Sequence, residues 1–208
     1  MGGELVPSLL AFALASFLIE LTPGPNMAYL AILAADRGRW PGLAAASGVA
    51  LGLSLLGLLA VFGLGALVLD NRAAYEVLRW TGVAYILYLA WDAYADSRKP
   101  LDDHDSTLSV GRFFRRGVIT NLLNPKAALF YITVMPGFMT DQTLGQALTF
   151  GTVYVLVATG VHAGVVLLAS TIQPLLTAPD RRHIMGVVFA VLLVIVAIWI
   201  ATTTAQSG

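Results

Sequence analysis

An all-α integral membrane protein of six spans is the fold the sequence predicts, and three observations carry that reading. Hydrophobic residues make up 58% of the chain and charged residues 12%, with a mean hydropathy of +0.80, too apolar for a soluble domain. Charged and turn-forming stretches divide it into six apolar runs: Leu5 to Leu33, Gly42 to Leu69, Ala73 to Tyr94, Phe113 to Phe138, Leu144 to Thr171 and Ile184 to Thr203. Each is long enough to cross ~30 Å of hydrocarbon. The third observation is that the first and fourth runs are broken in the same way, by proline next to glycine or asparagine.

The first run contains Thr22-Pro23-Gly24-Pro25-Asn26. Each proline lacks an N–H and clashes with the turn before it, so the helix must open there and leave backbone groups unpaired. In hydrocarbon such an opening is tolerated only where protein or a water-filled cavity satisfies it, which makes it a binding-site candidate. The fourth run repeats the device at Asn121-Leu122-Leu123-Asn124-Pro125-Lys126. Proline favours the first position of a helix and asparagine the position before it, so Asn124-Pro125 reads as the start of a half-helix, as does Gly24-Pro25 or Thr22-Pro23. Free N–H groups at such starts attract anions, and the carbonyls ending the preceding half-helix attract cations. Two broken helices with complementary poles suit a zwitterion, and they point to a transporter.

The second and fifth runs carry the clearest internal likeness. Ala46-Ser47-Gly48-Val49-Ala50-Leu51-Gly52 matches Ala158-Thr159-Gly160-Val161-His162-Ala163-Gly164 at four of seven positions. Pro25 then aligns with Pro125, and Gly82-Val83 with Gly186-Val187, in the same order. Three spans per repeat is an odd number, so the second repeat must enter the membrane from the opposite face. The predicted architecture is two inverted three-helix repeats, about 1–96 and 106–208, in one domain covering 1–208. Small residues four apart at Gly48/Gly52 and Gly160/Gly164 mark both faces as packing seams, within a protomer or between two, and a homodimer is left open.

Charge distribution orients the chain, although the net charge is zero and marks no nucleic-acid partner. With the N-terminus outside, the inner loops hold Arg37, Arg39, Arg98, Lys99, Arg112, Arg115, Arg116, Arg181 and Arg182, and the outer side holds Arg72 and Arg79. The positive-inside rule therefore predicts periplasmic N- and C-termini. The arginines at 112, 115 and 116 are expected to serve orientation and contact with anionic lipid. The N-terminus lacks a basic leader, and the first run is read as a retained span.

Within the spans, Glu20 and Lys126 are the acid and the base placed deepest. A charge at the bilayer centre costs ~2.5–3.5 kcal/mol on insertion scales, so neither is expected to be casual: Lys126 is read as holding substrate or tuning Glu20 and Glu20 as a proton carrier, the alternative being a structural pair or a protonated Glu20 bonded to the opened backbone. His162 lies two residues from each of two glycines, about 200° around a helix from Gly160, and is expected to pack away from their seam. With no cysteine and three histidines, neither a disulfide nor a thiolate metal site is available, and no cofactor is implied.

The motifs Leu21-Thr22-Pro23-Gly24-Pro25-Asn26, Gly38-Arg39-Trp40-Pro41-Gly42, and Gly117 with Asn121-Leu122-Leu123-Asn124-Pro125-Lys126 resemble the LysE/RhtB family of bacterial amino-acid exporters over nearly the whole chain. That resemblance implies a six-span inner-membrane protein exporting amino acids or related metabolites by exchange with protons. Glu20 lies outside the motifs. The expected substrate site is Thr22, Pro23, Gly24, Pro25, Asn26, Asn121, Asn124, Pro125 and Lys126. Two rival functions would need other residues. A metal-cation exporter wants several hard carboxylate ligands near the breaks, where Glu20 stands alone. A membrane-embedded enzyme wants a motif such as Gly-x-Ser-x-Gly or His-Glu-x-x-His, which the chain lacks.

Overall fold

The computed structural model describes residues 5–22, 24–63, 71–97, 109–141, 143–173 and 182–203. Pro23 and the cations Arg98, Lys99 and Arg181 lie outside them. The described residues form eight α-helices: α1 (Leu5–Leu21), α2 (Pro25–Arg37), α3 (Arg39–Val61), α4 (Arg72–Ser97), α5 (Ser109–Leu122), α6 (Pro125–Leu129), α7 (Leu144–Ser170) and α8 (Arg182–Thr203).

Both predicted breaks are present. α1 and α2 meet at 60°, and α5 meets α6 and its continuation at 54°. Proline occupies the first position of α2 and of α6. Beyond α6 the chain runs through a π turn, Phe130–Val134, and a 3-10 turn, Met135–Phe138. Pro136 gives the reason: it has no N–H to offer Ile132, so the regular ladder cannot continue past that turn. Gly38, at φ +85°, joins α2 to α3 in a backbone conformation that costs a β-carbon-bearing residue energy, which lets one helix follow the other almost at once.

Two straight helices, α3 and α7, are long and apolar enough to cross a membrane, as is each bent pair. α4 spans 26 residues but carries Glu76, Arg79 and Asp92, and the continuous apolar part of α8 is the shorter Val187–Trp199. Length and apolarity thus mark four crossings among the described residues, not the six expected from the runs. α4 and α8 pack on each other. Arg79 fastens them, taking both carboxylate oxygens of Glu76 at 2.7 Å and donating to Ala201 O at 2.7 Å.

Large apolar side chains such as Leu10, Phe62, Leu156 and Leu168 face outward, while Ser16, Glu20, Asn26, Asn121, Asn124 and His162 are buried. Apolar groups outside and polar groups inside is the distribution a bilayer selects. The tightest helix contact joins α3 to α5. A β-carbon on Gly48 would lie 2.0 Å from Phe114 O, and one on Gly117 would lie 2.0 Å from Ala45 O, so the two backbones touch through reciprocal glycines. The other predicted seam is absent from the protomer: nothing among the described residues lies within 4 Å of a β-carbon on Gly160 or Gly164. Sequence likeness did not carry the contact over because the glycine that meets Gly48 belongs to α5, and α7 meets α1, α2 and α3 instead.

Candidate functional site

The two breaks face each other in the interior. Asn26, at the start of α2, donates from Nδ2 to Asn121 Oδ1 at 2.7 Å, joining the first break to the end of α5. Each amide then keeps one group without a protein partner, Asn26 Oδ1 as acceptor and Asn121 Nδ2 as donor. Buried polar atoms are rarely left unpaired in a native fold, so this pair is suited to receive a polar ligand. Gly52 makes room beside it, since a β-carbon there would sit 3.0 Å from Asn121 Nδ2.

Asn124 does structural work. It is the N-cap of α6, its Oδ1 accepting from Lys126 N at 3.1 Å. Lys126 reaches from the first turn of α6 to the end of α1, where its Nζ donates to Ile19 O at 2.7 Å and to Thr22 O and Thr22 Oγ1 at 3.0 Å each. Gly24 flanks its path, a β-carbon there falling 3.4 Å from Lys126 Cδ. Thr22, Gly24, Pro25, Asn26, Asn121, Asn124, Pro125 and Lys126 are therefore gathered at one place, as expected from the sequence, and Pro23 lies outside the described residues.

The pairing of Glu20 with Lys126, left open by the sequence, is not made. Glu20 turns to α7: Tyr154 Oη donates to its Oε1 at 2.7 Å, and His162 Nε2 stands 3.3 Å from its Oε2. Lys126 goes to backbone carbonyls instead, because the break exposes acceptors nearer its reach than the carboxylate. His162, expected to be a packed histidine without a charged neighbour, is thus the imidazole facing the buried acid. Tyr154 and His162 were missed as partners of Glu20. A signal existed, for Phe150, Tyr154, Ala158, His162 and Val166 recur at every fourth residue and form the buried face of α7. Polar members of such a stripe on an apolar helix mark the interior. Phe130 stacks on Tyr154 at 4.0 Å between ring centres, and Tyr131 meets it edge-on at 5.1 Å, which fixes the phenol against Glu20. Glu20 and His162 are two potential metal ligands, and among the described residues no third His, Cys, Asp or Glu joins them.

Two openings among the described residues lie apart from this centre, neither of them lined by Glu20, Asn26, Asn121, Lys126, Tyr154 or His162. A cleft of about 290 Å³ lies between the ends of α3 and α7, walled by Tyr131, Met135, Pro136 and Thr143. A crevice of about 40 Å³ near Asp36, Arg37 and Arg116 ends at Tyr29. Arg116, expected at the lipid surface, pairs inward with Asp92 at 2.8 Å and ties α5 to α4.

Helices broken in apolar surroundings, with amides and an ammonium converging at the breaks, define a membrane translocator of small polar solutes. The chain belongs to the LysE type translocator family, which matches residues 17–204. It is 29% identical over 196 residues to a homoserine/homoserine lactone efflux protein of Salmonella typhimurium, covering 92% of this chain and 95% of that one. A leucine efflux protein of Salmonella typhi is 32% identical over 130 residues, 62% of this chain and 61% of its own. An uncharacterized membrane protein of Vibrio cholerae is 28% identical over 184 residues, 86% of this chain and 89% of its own. The relatives with a named activity are efflux proteins rather than enzymes. No solved structure matches the chain.

Proposed function

We propose that the protein is a secondary exporter of a small amino acid or related zwitterion in the bacterial inner membrane, working by exchange with protons. The observation that carries the reading is the meeting of the two breaks, through Asn26–Asn121 and through Lys126 on the carbonyls of Ile19 and Thr22. Around a small zwitterion these groups supply what each end needs: backbone carbonyls for the ammonium, and for the carboxylate the Lys126 charge, the Asn121 amide and the first-turn N–H groups of α2 and α6. The relatives are named for homoserine/homoserine lactone efflux and for leucine efflux, and homoserine and leucine are two such zwitterions.

Glu20 is the proton-coupling candidate, and His162 and Tyr154 are the groups through which its protonation would be felt by α7. A carboxyl held between the end of a broken helix and an imidazole changes the local charge by one when it takes a proton. That change is next to the substrate groups.

Six spans in two inverted repeats remain the architecture we favour. Exchange of the first three runs with the last three preserves part of the packing: α3 with α5 corresponds to α7 with α1, and the pairs α3–α7 and α4–α8 map onto themselves, whereas the α2–α3 packing has only a slight counterpart, between the turn Met135–Phe138 and α7. With both termini periplasmic, the cleft beside Thr143 opens outward and the crevice at Asp36 lies inward.

The test is counterflow. Proteoliposomes loaded with unlabelled amino acid should accumulate the labelled one, homoserine and leucine being first in the panel. Uptake no greater than that of protein-free vesicles for every amino acid tried would remove the reading.

A further inference from the structure

The cation pole at the end of α1 already holds an ammonium group, that of the protein itself. A primary ammonium has three N–H donors. Lys126 Nζ meets three oxygens, Ile19 O at 2.7 Å and Thr22 O and Thr22 Oγ1 at 3.0 Å each. The Thr22 hydroxyl also donates to Ile19 O at 2.5 Å, which holds two of the three oxygens together. The sequence explains why they are available. In a continuous helix Ile19 O would accept from the N–H of residue 23, which is proline and has none; it accepts instead from the Thr22 N–H at 3.1 Å and takes the hydroxyl and the ammonium beside it. Gly24 leaves the flank open for the lysine stem.

The α-ammonium of an amino acid is the same chemical group, –NH3+ on a tetrahedral carbon. We infer that this three-oxygen cage is the ammonium subsite for substrate and that Lys126 is its tethered occupant, replaced by the α-ammonium of an arriving amino acid. The released lysine then has the substrate carboxylate within reach as a new partner. The inference rests on the proposed export of a zwitterion and adds to it which group binds where, and in what order.

An exchange of ammonium for ammonium has a physical advantage over binding to an empty cage. The carbonyls keep a donor in both states, so no acceptor is stranded in a poorly solvated interior when substrate leaves. The lysine resets the site. Selectivity follows as well: the cage takes a primary ammonium, whereas an N-acylated or 2-hydroxy acid brings too few donors and leaves Lys126 in place.

The test uses n-propylammonium and propionate, which separate the two ends of a zwitterion. Affinities are measured by saturation-transfer NMR on purified wild-type protein, on Lys126→Met, on Thr22→Val and on Lys126→Met/Thr22→Val. Competition is then run against the labelled amino acid that drives counterflow. Vacating the cage should tighten propylammonium binding to Lys126→Met about tenfold or more, while propionate gains nothing. Removing one acceptor from the vacated cage, in Lys126→Met/Thr22→Val, should weaken propylammonium relative to Lys126→Met, whereas Thr22→Val alone loosens the resident lysine as much as the amine and should change the amine affinity little. The amine should displace the amino acid competitively in both wild type and Lys126→Met.

Equal amine affinity in wild type and Lys126→Met would overturn the inference, and so would an amine and an amino acid that bind independently. Should Lys126→Met fail to give monodisperse protein, Lys126→Gln, which also removes the resident ammonium, decides, an amine affinity equal to that of wild type counting against the cage. A wild type without counterflow refutes the export reading itself. Wild-type counterflow with an amine that gains nothing in Lys126→Met refutes the exchange alone.

Discussion

Replacing Gly117 by alanine adds one carbon at the closest helix contact in the protein. That carbon would lie 2.0 Å from Ala45 O and 2.9 Å from Ala45 C, both backbone atoms that no rotamer change can move aside. Reaching ordinary contact requires α3 and α5 to part by ~1 Å or more along their seam. A gap of ~1 Å forfeits up to about half of the ~0.1–0.2 kcal/mol held in each heavy-atom contact, and a seam that opens along its length gives up on the order of 1–3 kcal/mol, the range that overpacking costs in well-packed interiors. The control is Gly160→Ala, where the added carbon meets nothing within 4 Å among the described residues and the cost should stay within about 0.5 kcal/mol. Unfolding in mixed micelles by increasing denaturing detergent gives both values. Equal stability of the two variants would show that the α3–α5 contact is not as close as described.

Further outcomes are expected at the site and at the termini. Lys126→Met should abolish net transport while the protein still inserts and elutes as a single species; full transport would return the lysine to a packing role. Glu20→Gln should uncouple transport from the proton gradient and keep counterflow, and His162→Asn should alter the same pH profile. Independent, additive effects of these two would argue against a shared proton site, because coupled neighbours show an interaction energy. A C-terminal reporter active only in the cytoplasm should be silent, and activity there would reverse the assigned orientation.

The breaks were legible in the sequence because their cause is local. A proline without an N–H opens a helix whatever surrounds it, and Asn124 caps α6 through a contact two residues long. The partners across the interior were not legible. Tyr154 and Glu20 are 134 residues apart, and nothing in either neighbourhood says that they meet. His162 was read against Gly160 and Gly164 when its place was on the four-residue stripe with Tyr154. The two glycine seams illustrate the same limit from the other side: similar heptapeptides gave one backbone contact and one open face, since close approach needs a matching gap on the partner helix, and Gly117 supplies it only for Gly48.

The central claim is that both breaks line one substrate site. The chain contains no cysteine, so single cysteines can be introduced without a background to remove. Thr22→Cys reports from the first break and Leu123→Cys from the second, each followed by its rate of labelling with a small maleimide. The account predicts that the amino acid driving counterflow slows labelling at both positions, with the same concentration dependence, and leaves a cysteine placed at Gly160 unaffected. Protection at one break alone, or at neither, would contradict it.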